Sequence, residues 1–215
     1  MMVAETAALR RSPLAHREAE FAELGQLVPR VSLREEPFLT QVNLRVHPGS
    51  PALARIEREL GLTLPGRPNT VARVADGSST ALGSLTALGS LTALWLGPDE
   101  WLIVAPDGLA AELTERLAAA LDGSLGSAVD VSANRTTLLL AGASARAVLE
   151  SGCAVDLHPR AFGSGDCVQT MLARAQVVLW QLDDRPSYRI LVRGSFADYL
   201  ADWLSATIRT EGKSR

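Results

Sequence analysis

The stretch Thr40-Gln41-Val42-Asn43-Leu44-Arg45-Val46-His47-Pro48-Gly49-Ser50-Pro51, continued to Gly61, decides how this chain folds. Apolar and polar residues alternate up to Val46, the period of a half-buried strand. His47-Pro48-Gly49 ends it. Ser50 then stands where a helix N-cap belongs, with Pro51 at the first helical position. Leu53, Ile56 and Leu60 recur at helical spacing, and Gly61 is a stop signal. Working outward, residues 70–74 read as a short strand. Trp95-Leu96 and Trp101-Leu102-Ile103-Val104 read as a hairpin about Gly97-Pro98-Asp99-Glu100. Residues 109–121 form an amphipathic helix, with Leu113, Leu117 and Leu121 at four-residue steps.

The same order returns after a Gly/Ser-rich linker at residues 122–127. Ala128-Val129-Asp130-Val131 leads into a strand over 135–140. Gly142-Ala143-Ser144 opens a helix carrying Ala147, Val148 and Leu149. Residues 168–172, 176–182 and 188–192 are strands, with Asp183-Asp184-Arg185-Pro186 as a turn. Ser195 caps a last helix striped by Phe196, Tyr199, Leu200 and Trp203. Strand, helix, strand, strand, helix thus occurs over 38–121 and again over 128–208. The expected fold is α+β: two ferredoxin-like βαββα halves, antiparallel sheets with helices on one face. The first half spans 31–127, the second 128–208, and 209–215 is a tail. Residues 1–30 read as an arm without a firm apolar stripe, helical over 16–27 between Pro13 and Pro29. Gly83-Ser84-Leu85-Thr86-Ala87-Leu88 repeats unchanged as Gly89-Ser90-Leu91-Thr92-Ala93-Leu94, so 79–94 reads as a tandem duplication lengthening a loop or hairpin.

The 215 residues carry 21 Lys+Arg against 24 Asp+Glu, a net charge of -3 that gives no electrostatic reason to expect nucleic acid or a membrane surface. Two cysteines and three histidines make neither a disulfide framework nor a convincing zinc cluster. No run approaches the ~18 apolar residues of a membrane span. The N-terminus places its basic pair after the apolar residues and lacks a continuous apolar core, unlike a signal peptide. The expectation is a cytoplasmic protein.

Catalytic templates find little. Phosphate-binding Gly-rich motifs, zinc-protease motifs and nucleophile elbows are missing. Gly163-Ser164-Gly165 reads as a plain loop before an anion cradle. Cys153 near His158 is a weak thiol–imidazole pairing. Glu35-Glu36, Asp99-Glu100 and Asp183-Asp184 read as solvated turn carboxylates. Val177-Val178-Leu179-Trp180 is a run buried on both faces, by the chain itself or by another subunit. Catalytic, cofactor and metal residues are therefore expected to be none, which points to a non-catalytic subunit.

Three strings carry a resemblance. They are Asp156-Leu157-His158-Pro159-Arg160-Ala161-Phe162, Thr170-Met171-Leu172-Ala173-Arg174-Ala175-Gln176-Val177-Val178-Leu179-Trp180, and Arg193-Gly194-Ser195-Phe196-Ala197. Together with Arg11-Ser12-Pro13-Leu14 and Gln41-Val42-Asn43-Leu44-Arg45, they resemble the gamma subunits of heterotetrameric sarcosine oxidase over most of the chain. Asp130-Val131-Ser132 and the strand and helix after it are similar to the wider aminomethyltransferase, folate-binding superfamily. The resemblance implies a folate-domain scaffold without the acidic folate ligand, since residues 176–180 are apolar there. It implies a complex that demethylates sarcosine to glycine, releases hydrogen peroxide and passes a one-carbon unit to tetrahydrofolate. FAD, FMN, NAD, zinc and tetrahydrofolate are then expected in the alpha, beta and delta subunits, none in this chain, with alpha the most direct partner. His158, Arg160, Phe162 and Trp180 are the candidate subunit interface. Arg160 is either an interface anchor or part of a loop that turns the chain. The other reading is a stand-alone folate-binding or tRNA-modification protein.

Overall fold

A computed structural model of the chain describes residues 9–74 and 91–213, the side chain of Lys213 excepted. Among the described residues ten strands form two five-stranded antiparallel sheets. The strand read first, Thr40–Val46 (β2), pairs with Glu100–Ala105 (β5), which pairs in a hairpin with Thr92–Gly97 (β4); Val71–Arg73 (β3) adds to β4. Helices Pro51–Leu60 (α2) and Ala110–Leu121 (α3) cover one face of this sheet, burying Ile56, Leu60, Leu113 and Leu117 against Val42, Leu44, Trp101 and Ile103. The α2 caps are as read: Ser50 Oγ accepts from the Ala52 N–H at 3.2 Å, and Gly61 takes the left-handed conformation (φ 61°). Arg55 ties the two helices together by donating to the carbonyls of Ala120 (2.8 Å) and Leu121 (3.0 Å), the negative end of α3.

The second sheet runs Ser32–Glu35 (β1), Arg135–Ala141 (β7), Ser187–Arg193 (β10), Ala175–Gln181 (β9), Cys167–Leu172 (β8). Glu18–Leu27 (α1), Ala145–Glu150 (α4) and Ala197–Lys213 (α5) cover its outer face. The inner faces of the two sheets meet. Leu94, Leu96, Leu102 and Val104 pack there against Cys167, Val178, Trp180 and Leu191. The order of layers is helix, sheet, sheet, helix. It explains why β5 and β9 are apolar on both faces, since each contributes to an outer and an inner core.

Three expectations change. The linker at 122–127 is partly a strand: Gly126–Asp130 (β6) pairs with β2 and belongs to the first sheet. β1, placed in the first half, pairs instead with β7. Each half lends an edge strand to the other's sheet, so a boundary at 127 does not separate the sheets. The arm is part of the core: Leu14, Phe21 and Leu24 are buried against the second half. Ser12 and the β7 residue Thr136 both donate to the Glu35 carboxylate, which fastens the arm. Residues 79–90 of the repeat lie outside the described residues. Of its second copy, Thr92, Ala93 and Leu94 lie in β4 of the β4–β5 hairpin, with Ala93 and Leu94 fully buried.

Cys167 marks the edge where the sheets are joined. Its N–H donates to the Asn69 carbonyl (2.9 Å), and Val71 N–H donates to the Gly165 carbonyl (2.8 Å). Burial pushes its thiol up to about 12. At pH 8 a thiol with a pKa of about 12 is roughly one part in ten thousand thiolate, the reactive form. Iodoacetamide at pH 8, followed by mass spectrometry, is therefore expected to leave Cys167 unmodified in the native protein and to modify it in urea. Rapid native labelling would contradict this burial.

Candidate functional site

Residues 156–162 form a compact turn. Asp156 Oδ1 accepts from the His158 N–H (2.9 Å), and His158 Nδ1 accepts from the Arg160 N–H (3.2 Å). The N–H groups of Ala161 and Phe162 donate to the His158 carbonyl at 2.8 and 3.0 Å. Leu157 and Phe162 sink into the second core and hold the turn down at both ends. His158, Pro159 and Arg160 are left at the surface. The Arg160 guanidinium has no hydrogen bond or ion pair among the described residues. Of the four candidate interface residues, His158 and Arg160 face outward, while Phe162 (4% exposed) and Trp180 (1%) are interior. The chain's own two sheets cover Trp180. Arg73 and Arg189 stack on its ring, their guanidinium carbons 4.6 and 5.0 Å from the centroid. Burial, with Arg189 beside it, holds Arg73 below the ordinary arginine range.

The remaining candidates are engaged elsewhere. Cys153 pairs through its backbone with Leu172 and packs on the second core. No hydrogen bond joins its thiol to His158 among the described residues. In the loop 163–165, the Gly163 N–H donates to Asp166 Oδ2 (2.8 Å) and the Gly165 carbonyl joins the sheets, so its polar groups are used internally. Glu36 is no solvated turn carboxylate: Arg34 (2.8 Å) and Arg189 (2.6 Å) both pair with it. Asp183 accepts from the Arg185 N–H (2.9 Å) and Ser187 Oγ (2.8 Å), closing the β9–β10 turn. Among the described residues no group of three or more His, Cys, Asp or Glu side chains is placed to hold a metal ion.

Two features escaped the sequence. The first is a cleft of about 610 Å³ where the halves meet, lined by Arg10, Arg11, Phe38, Asp107, Ser132 and Arg135 among others. Its residues come from distant segments, so no local motif announces it. The second is an exposed aromatic patch at the start of α5. Phe196 and Tyr199 meet edge to face with centroids 6.3 Å apart, and Tyr199 Oη accepts the Arg174 N–H (3.2 Å). Met171 is exposed as well. The stripe was legible in the sequence, but its exposure was not.

Residues 51–209 match the model of the sarcosine oxidase, gamma subunit family. The sarcosine oxidase subunit gamma of Corynebacterium sp. (strain P-1) is 40% identical over 200 residues, 93% of this chain and 90% of that protein. The chain belongs to the sarcosine oxidase gamma subunit family. The gamma subunit of Corynebacterium sp. (strain U-96) is 42% identical over 199 residues, 91% of this chain and 88% of that protein. Among solved structures, a chain of the heterotetrameric sarcosine oxidase from Corynebacterium sp. U-96, in complex with pyrrole 2-carboxylate, superposes with a TM-score of 0.79. It is 38% identical and covers 93% of this chain and 95% of that one. The glycine cleavage system aminomethyltransferase T from Bartonella henselae superposes with a TM-score of 0.60 at 14% identity, over 86% of this chain and 48% of that one. This second likeness is one of fold: the α+β pair of halves is an aminomethyltransferase-like architecture. The described helices include none long and apolar enough to cross a membrane.

Proposed function

We propose that this chain is a non-catalytic gamma subunit of a heterotetrameric sarcosine oxidase, seated beside the alpha subunit. In that complex sarcosine is demethylated oxidatively to glycine, with hydrogen peroxide released and the one-carbon unit passed to tetrahydrofolate. FAD, FMN, NAD, zinc and tetrahydrofolate belong to the partner subunits. One observation carries the reading: 40% identity over 200 residues to proteins named as sarcosine oxidase gamma subunits. The side chains support it. The Cys167 thiol is buried and pushed up to about 12, His158 Nδ1 accepts a backbone N–H, and Glu35 and Glu36 fasten the arm and β10. These groups hold the fold together, and such ties oppose the movements of a nucleophile or base. In the alternative reading, a folate binder, an acidic ligand is needed near β9, where residues 177–180 are buried apolar side chains.

The test is native mass spectrometry of this chain co-expressed with its flavin-bearing partners. A stable assembly containing one or more copies of the chain is expected; a chain that runs free beside an active enzyme would contradict the proposal.

Arg160 is the interface residue of choice, because its guanidinium is exposed and unpaired on a pinned turn. Arg160→Ala is expected to weaken assembly by about 2 kcal/mol, roughly 30-fold in affinity, as for an arginine anchor. Its thermal midpoint alone should match the parent's. Unchanged co-purification would assign the turn a purely structural role.

A further inference from the structure

The cleft between the halves gathers charged groups from the arm and from both halves. Three guanidiniums, Arg10, Arg11 and Arg135, line it with two carboxylates, Asp107 and Asp130. Asp107 has a cationic partner, whereas Asp130 is hydrogen-bonded only by the neutral Ser132 and keeps its charge. Asp107 pairs with Arg10 at 2.9 Å, and Asp130 Oδ1 accepts from Ser132 Oγ (2.5 Å) and the Ser132 N–H (2.9 Å). Arg11 and Arg135 have no side-chain hydrogen bond or ion pair among the described residues. Arg135 is also partly buried beside a second cation, Arg193, and these lower its basicity against the smaller opposing pull of the Glu100 carboxylate. Three guanidiniums against two carboxylates leave the cleft with a net positive charge, which a bound anion offsets.

The walls say what kind of anion. Phe38 holds a positive φ of 61°, a conformation that bulky side chains rarely adopt and that clusters at functional sites. Its ring lies at the cleft with Arg10 stacked 4.1 Å over it. Pro13, Ala110 and Ala111 continue the apolar surface, and the two alanines start α3, whose positive end adds to the field. The volume of about 610 Å³ suits a small organic molecule. Planar guanidiniums match a carboxylate by two parallel hydrogen bonds.

We propose that this cleft binds a small organic monocarboxylate, its carboxylate held by Arg11 and Arg135 and its apolar body laid against Phe38 and the alanines. The site lies within this chain, so its failure would leave the subunit assignment untouched.

The probe is benzoate, titrated calorimetrically into the full-length chain, with neutral benzamide and inorganic phosphate as comparisons. Saturable benzoate binding on the order of 1 mM is expected for a ligand of this size. Benzamide and phosphate should bind at least tenfold more weakly. Arg135→Met and Arg11→Met should each weaken benzoate at least tenfold while leaving the circular dichroism spectrum unchanged. Should Arg135→Met fail to fold, Arg11→Met decides. Non-saturable benzoate, benzamide binding as well as benzoate, phosphate binding more tightly, or full affinity in the folded variants would each overturn the proposal.

Discussion

Trp180→Ala is expected to cost about 3–5 kcal/mol in stability, read from the shift of a urea unfolding midpoint. Trp180 is 1% exposed and sits where the two sheets face each other, among Leu94, Leu102, Val178 and Leu191. Its neighbours belong to strands of both sheets, so no single element can relax into the space. The substitution also removes the ring on which Arg73 and Arg189 stack. Against a total of about 5–15 kcal/mol for a domain, this loss takes a large share. Trp180→Phe should be much milder. It keeps most of the ring and deletes the indole N–H, which is buried without an acceptor. If alanine proved as mild as phenylalanine, the inter-sheet core would not be where the stability lies.

Gly142→Ala should have the second largest effect, about 3–5 kcal/mol, for a different reason. Gly142 has φ 120°, and a Cβ there would lie 2.2 Å from the Arg30 carbonyl oxygen and 2.8 Å from its carbon. These are backbone atoms at the entrance to β1, and the same carbonyl accepts the Ser144 N–H. Gly142 itself donates to the Pro186 carbonyl (3.0 Å), so neither side can yield freely. Gly25→Ala is the control with opposite sign. Gly25 lies within α1 with open space around it, and alanine should stabilise by about 0.5–1 kcal/mol. Equal effects at the two glycines would refute the close-approach argument.

What the sequence made legible follows from how locally each element is encoded. α2 carries its own start and stop in Ser50, Pro51 and Gly61, and β5 announces itself by Trp101-Leu102-Ile103-Val104. β6 was missed because Gly126-Ser127-Ala128-Val129-Asp130 has the composition of a linker; pairing with β2 at a sheet edge makes it a strand. The arm was missed because its buried residues, Leu14, Phe21 and Leu24, straddle a short 3-10 turn and α1, while Leu27 stays exposed. At the site, the most family-like string mixes two jobs. Leu157 and Phe162 pin the turn and Arg160 faces outward, a division that depends on the surrounding core and not on the string itself. Arg135 belongs to no local motif, and only the fold places it with Arg11 at one cleft.

The central claim is that this chain contributes a folded surface to an oxidase whose chemistry resides in its companions. The most direct measurement is sarcosine-dependent hydrogen peroxide production by the purified chain alone, by the companion subunits alone and by the reconstituted set. Peroxide from the reconstituted set and none from the isolated chain is the predicted result; turnover by the isolated chain would contradict it.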